Sequence, residues 1–535
     1  FLYPGGYVYD LDNDGDVDET DGDWLVNWVR GYKDGVSVKK EWLLGAVDHS
    51  VPALMVPPSR PRWYYGTLIT DSERTSFDTF VTDKAARQTL VFVGARDGML
   101  HAFDGGKFRW DDNPDTAASE NRGYFLWEGS PKAPNYGTGD ELWAFIPNNL
   151  VSRFKNNLLK ADDQSYVDAS PALADVYING AWKTVLICAE GNGGDTVFAL
   201  DVTDPGNPIF LWEFADPDLF RSRSSPAVAK IGRILSGSTT KWAAFFVSGK
   251  TYDNTIYPSV YIIDISTGSV IQRVFLDAET NGVGGTPSGQ PAIVDSDGNG
   301  YIDRVYIGTD KGYMYKINIP DDPDTARYSI GHCVINTDFT SGTTTVPSDR
   351  RYQPIYASPT VVVDNGFTDT GEIIYNVMVF FGTGDSPYFD EDINTQNTNY
   401  YFYAYNDHNE KGACDAGTVD LDWLLELPAG NRVWYSAFAA AGSIYFGTST
   451  AETEDPCAAV EANANQGMLY AFSLSGTPRF SQQVGNVLAS PIVEDEHLYF
   501  RTVDGLTSLG SGQYNNEVSV GGIGKSALSM WREIF

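Results

Sequence analysis

The chain has 535 residues and a formal net charge of −34, set by 71 Asp and Glu against 37 Lys and Arg. A surface this acidic repels phosphate backbones and anionic headgroups, which argues against nucleic-acid binding and membrane docking, and no apolar run approaches the roughly 20 residues of a spanning helix. With 53 Gly and 13% aromatic residues, the composition suits short strands joined by tight turns rather than helices.

Phe1 is not a start residue and no signal peptide opens the sequence, so the initiating end is expected to lie outside it. Residues 1–45 differ in kind from the rest of the chain. Asp10, Asp12, Asp14, Asp18 and Asp21 occupy positions 1, 3, 5, 9 and 12 of an EF-hand calcium loop, with Gly15 at position 6 and Val17 at the apolar position 8. Asp16, at position 7, would offer its backbone carbonyl. Calcium takes six to eight oxygens at about 2.3 to 2.6 Å, and alternate side chains of a tight loop can converge on one centre. Trp24, Leu25, Trp28 and Val29 then form a helical stripe that should pack on the larger domain or on an upstream helix. An acidic linker would supply neither the glycine nor the amphipathic exit.

From residue 46 to 535 one phrase keeps returning. It is a Pro or Ser-Pro followed by alternating apolar residues: Ser50 to Leu54, Ser170 to Leu173, Ser225 to Val228, Gln290 to Ile293, Ser358 to Val361, a Pro-less Ser436 to Phe438, and Ser490 to Val493. A second phrase is an apolar run ending in glycine, at Val91 to Gly94, Val305 to Gly308, Phe380 to Gly382 and Tyr445 to Gly447. A third is a strand ending near a polar residue, at Leu100 to Asp104, Val197 to Asp201, Val260 to Asp264, Met314 to Asn318 and Leu469 to Ser473. Repeated short strands of this kind are what propeller blades leave in a sequence, because a small sheet cannot bury both faces without its neighbours. Seven copies predict an all-β, seven-bladed β-propeller behind a short EF-hand-like loop and helix. Residues 106–140, 385–400 and 450–466 read as insertions, which on a propeller gather on its two faces.

A second calcium signal falls inside a blade. Asp295, Asp297, Asn299 and Asp303 stand at positions 1, 3, 5 and 9, with the Tyr301 carbonyl at 7. A strand follows where an EF-hand has a helix. A metal-free hairpin would hold these carboxylates together against their mutual repulsion. One or two Ca2+ sites are therefore expected.

Catalytic signals are weak. The five His, His49, His101, His332, His408 and His497, lie in no metal or triad spacing, which favours structural roles. Gly191 to Asp195 lacks the GKS/T of a phosphate loop and reads as a hairpin turn. Among the four cysteines, Cys188 closes an apolar run and reads as a buried thiol, while Cys414 and Cys457 sit in polar segments where a disulfide is plausible; four cysteines allow three full pairings.

Several stretches together resemble the PilY family of type IV pilus tip-associated adhesins and biogenesis factors. They are Val93 to Asp104, Glu141 to Pro147, Trp182 to Val185 leading to Phe198 to Pro205, and the closing Ser529 to Ile534. The resemblance implies that the chain is that family's C-terminal propeller, with its calcium site at Asp295 to Asp303 and a dockerin-like loop at Asp10 to Asp21. It further implies export to the cell surface and a place at the pilus tip with minor pilins. There the chain would promote assembly, oppose retraction and contact host cells or abiotic surfaces, without enzymatic activity. Two alternatives rest on other features. Ala199 to Thr203 with Trp212 downstream is similar to the tryptophan-docking repeat of quinoprotein dehydrogenases, and a propeller could equally serve as a structural part of another surface filament.

Overall fold

In the computed structural model, recurring phrases open recurring sheets. The structure describes residues 9–510 apart from 42, 117–122, 155–157, 159–165, 220–229, 237–238, 249–257, 277–284, 288, 320–334, 337–339, 342–343, 346–352, 364–365, 368–372, 375, 385–398, 408–418, 451–465, 495–496 and 503–504. The phrase at Ser225, most of the two later insertions, His332, His408, Cys333, Cys414, Cys457 and the closing Ser529 to Ile534 lie outside the described residues.

Among those described, six four-stranded sheets and one three-stranded sheet succeed one another, each antiparallel with spatial order equal to chain order. Their first strands are Ala53–Met55, Ala172–Ile178, Lys230–Ser236, Ala292–Val294, Thr360–Val363, Phe438–Ala440 and Ile492–Glu494. Each of the first six touches the first strand of the next sheet, so the short phrases line one side of the succession of sheets. Pro at the head of such a strand fits because the first strand residue needs no ladder donor. Second and third strands are sandwiched between neighbouring sheets. In sheet four, Val305, Tyr306, Ile307, Met314, Tyr315 and Ile317 are all buried. This explains their unbroken apolar runs where a half-exposed strand would alternate.

The glycines that close the second strands have a packing reason. A Cβ at Gly94, Gly308, Gly382 or Gly447 would overlap Val167, Ile355, Val433 or Val487, the residues that lead the chain into the next sheet. The third strands end in a repeated device. Register shifts fall at Ala102/Phe103, Ala199/Leu200, Ile262/Ile263, Ala404/Tyr405 and Ala471/Phe472, each facing the fourth strand. Such bulges raise the local twist and re-aim the end of the strand. Asp104, Asp201 and Asp264 then accept the N–H of Gly106, Thr203 and Ser266 at 2.9, 3.0 and 2.8 Å, tightening the turn. Onto such turns the previous sheet docks a fourth-strand indole. Trp143, Trp212 and Trp423 donate to the carbonyls of Pro205, Ile265 and Leu474 at 2.9, 2.7 and 2.9 Å.

Helix α1, Glu19–Val29, is capped by Asp18 and carries the predicted stripe. Leu25 is buried, Val29 packs against the core shared by sheets one to three, and Trp28 lies under the Lys40 ammonium, 3.4 Å from the ring centre. The sequence reading missed a second helix. α2, Asp71–Asp83, is inserted between the first two strands of sheet one. Its Thr70 and Glu73 form a capping box, and its Phe77 and Phe80 face the propeller. There Phe77, Trp63 and Trp182 pack together, with the two indoles stacked at 5.3 Å and 7°.

Candidate metal centres

The N-terminal loop wraps its own carboxylates. Positive φ at Asn13 (62°) and Gly15 (99°) turns the chain back on itself. Asp10 then accepts the N–H groups of Asp14 and Gly15, both at 3.1 Å, and Asp14 accepts that of Asp16 at 3.0 Å. Asp21, in the first turn of α1, reaches back to the N–H groups of Leu11, Asp12 and Asp18. As a result one carboxylate oxygen each from Asp10, Asp12 and Asp21 lies within 4.8 Å of the others. Burial works to raise the Asp21 pKa, but the Leu11, Asp18 and Asp12 amides outweigh it and hold the group ionised. Asp18 turns toward the helix and caps it, accepting from Thr20 N at 2.7 Å. Three clustered acids, hard oxygen donors in a small loop, suit Ca2+ better than a soft metal.

The second loop is the hairpin between the first two strands of sheet four. Gly298 and Gly300 have φ of 70° and 97°. Asp295 accepts Asn299 N at 3.0 Å and Gly300 N at 2.8 Å, Asp297 accepts Asn299 N at 3.1 Å, and Asn299 Oδ1 accepts Tyr301 N at 2.8 Å. Asp303 is buried and takes Ser296 N at 3.0 Å and Ser296 Oγ at 2.5 Å. Burial first, then the neighbouring Asp297 and Asp303, pushes the Asp295 pKa up to about 6 against the Gly300 amide. Asp303 is raised chiefly by burial. Burial disfavours the charged form of these carboxylates, a cost that a divalent cation between them would offset. The tight three-carboxylate approach of the first loop is not repeated here among the described residues. Tyr301 turns its hydroxyl to Thr240 at 3.0 Å, leaving its carbonyl as the group the spacing assigns.

Sequence reasoning did not foresee the other charged clusters. Asp48, His49 and Asp168 also gather within 4.8 Å. Asp168 accepts His49 N at 3.3 Å and stands 2.8 Å from His49 Nδ1, so the group reads as a clamp between the connectors entering sheets one and two. His101, 3% exposed, lies between Glu141 (2.7 Å) and Asp97 (3.2 Å). Burial alone would lower its pKa, yet the two carboxylates carry it to about 9, so it is a buried imidazolium. Glu190 is fully buried and rises to about 8, chiefly by burial, while Asn149 donates to it at 2.9 Å. Cys188 is buried, and burial pushes its thiol well above the usual range. Gly191–Gly193 form a short turn between two strands of sheet two.

A family profile described as the PilY1 beta-propeller domain matches residues 62–422. Among curated proteins, the type IV pilus biogenesis factor PilY1 of Pseudomonas aeruginosa is 31% identical over 330 residues, 59% of this chain and 24% of its own length. A PilY1 homolog of Xylella fastidiosa is 27% identical over 379 residues, 67% of this chain and 25% of its own. The chain thus spans about a quarter of the length of these relatives. The crystal structure of the Pseudomonas aeruginosa PilY1 C-terminal domain superposes with a TM-score of 0.55 at 21% identity, over 81% of this chain and 95% of that domain, which shows a shared fold.

Proposed function

The chain belongs to the PilY1 β-propeller family, and from that premise we propose that it is the calcium-binding propeller of a type IV pilus biogenesis factor. It acts at the pilus tip outside the cell, with minor pilins, in assembly and in contact with host or abiotic surfaces. Its work is binding rather than catalysis. Supporting this reading are the relatives' shared description as pilus biogenesis factors and an acidic surface that disfavours nucleic acid. Among the described residues, no helix is long and apolar enough to cross a membrane.

The observation that carries the calcium half is the convergence of Asp10, Asp12 and Asp21 in a loop whose backbone already has the required turn. Asp10, Asp12, Asp14, Asp18, Asp21 and the Asp16 carbonyl would hold one ion. Asp295, Asp297, Asn299, Asp303 and the Tyr301 carbonyl would hold another. The ion would supply charge neutralisation and a fixed loop geometry. At millimolar calcium a micromolar site stabilises the fold by about 4 kcal/mol.

Calorimetric titration should give two sites for the parent chain and one each for Asp14→Ala and Asp297→Ala. Two sites retained in both variants would sink the assignment. Pull-down of minor pilins by the propeller in calcium, reduced in chelator, tests the partner; capture indifferent to every pilin offered would count against it. A near-ultraviolet quinone band in the purified protein would favour the dehydrogenase alternative instead.

A further inference from the structure

The tip of the Asp295 to Asp303 loop does not end in solvent. The carbonyls of Gly298 and Asn299 accept the N–H groups of Thr67 and Leu68 at 3.0 and 3.2 Å. A hairpin of sheet four is thereby tied to the segment of sheet one that leads into α2. The approach is close on both sides: a Cβ on Gly66 would overlap Gly300 and the Asn299 carbonyl, and one on Gly300 would overlap Ile69, itself buried.

Residues 298–300 face two ways. The N–H groups of 299 and 300 point to Asp295 and Asp297 while the carbonyls of 298 and 299 hold the insertion. Since each peptide unit is planar, its N–H and the preceding C=O cannot reorient separately. The Asn299–Gly300 unit therefore couples the Asp295 carboxylate to Leu68 directly. The Gly298–Asn299 unit couples Asp295 and Asp297 to Thr67 in the same way. On the far side the insertion is stiff. Arg74 donates to the Tyr64 and Gly66 carbonyls, both at 3.0 Å, and Trp63 is stacked on Trp182. The strap thus joins two rigid bodies through one loop.

Resting on the calcium reading above, we propose that this loop is a cation-controlled strap, in which calcium held by Asp295, Asp297, Asn299 and Asp303 fixes the insertion of residues 62–83 on the propeller face. Removing calcium loosens that insertion, including its exposed Tyr65 and Leu68, while the sheets stay intact. Coupling of this kind is reciprocal, so weakening the strap must weaken calcium binding by the same factor.

The test is hydrogen exchange of the full chain in calcium and in chelator, with calorimetry on the same samples. Amides of 62–83 should exchange at least about tenfold faster in chelator, with those of the sheet-six strand Ser443–Gly447 unchanged. Gly66→Ala, which touches no proposed ligand side chain, should speed exchange of 62–83 in calcium and lower calcium affinity at this loop by on the order of tenfold. Calcium uptake that Asp297→Ala abolishes, with exchange over 62–83 indifferent to it, would overturn the strap and leave the calcium reading standing. No uptake at this loop would overturn both. The comparison on the parent chain needs no variant to fold.

Discussion

Replacing Asp407 by Asn should be among the most damaging single changes in the propeller. Asp407 is fully buried on the third strand of sheet five, and its Oδ2 accepts from the Tyr306 hydroxyl at 2.5 Å and from Arg304 at 3.2 Å. Lys316 Nζ is in ion-pair contact with the same oxygen at 2.7 Å. Arg304 and Lys316 are 1% and 0% exposed, so both cations meet the Asp407 carboxylate with water excluded, and the buried Asp303 adds a further attraction to each. Burial pulls the Lys316 pKa down and Asp407 opposes it. Asparagine keeps the shape and removes the charge, which takes from both cations the carboxylate they contact. Breaking a buried pair in this manner costs about 3 to 5 kcal/mol. By contrast Arg60 and Asp78 are 50% and 36% exposed, and Asp78→Asn should cost no more than about 1 kcal/mol. Lys316→Met leaves Arg304 paired with Asp407, so no buried charge loses its contact partner, which puts the variant within about 1 kcal/mol of the parent or above it. Urea unfolding followed by tryptophan fluorescence reads all three. An Asp407→Asn variant no less stable than Asp78→Asn, or a Lys316→Met variant as damaged as Asp407→Asn, would refute the argument.

Other outcomes rest on the same packing. The folded pKa of His101, about 9, lies above the ordinary 6.5. Its contribution is therefore fully present below about pH 6.5 and lost as pH rises through 9, a fall of roughly 2 to 3 kcal/mol; urea midpoints at both pH values should show the slope in the parent and its loss in His101→Gln. Gly447→Ala drives a methyl into the buried Val487 and should cost about 1 to 3 kcal/mol, whereas Gly206→Ala, with only Asp204 Oδ1 near at 3.9 Å, should leave the melting temperature unchanged. Trp212→Phe removes the donor to the Ile265 carbonyl across the joint of sheets two and three. It should destabilise by about 1 to 3 kcal/mol, measurable by the same unfolding curves, and a neutral result would mean that indole docking contributes only packing.

The strands and the two acidic loops were legible because their signals are local. A run such as Val305 to Gly308 or Leu100 to Asp104 carries its own apolar pattern and turn chemistry. The acidic residues of each loop lie within twelve residues of one another, so a single turn of chain carries them. Helix α2 was missed although Thr70 and Glu73 announce it, because Phe77, Phe80 and Val81 are the only apolar residues on a helix of thirteen and only the two Phe are buried. Why Gly94, Gly308, Gly382 and Gly447 are glycines was not legible either, since the reason is a side chain arriving from the next sheet. The same holds for charge. Asp407 meets Arg304 from 103 residues away and His101 meets Glu141 from 40, and no pattern in the chain distinguishes these from the other ionised side chains of an acidic protein. Local periodicity and turn residues determined the blades and the loops. Only the tertiary packing of sheets and insertions, which brings distant strands to within hydrogen-bonding distance and strips water from between them, decided which charges are buried and which loop meets the insertion.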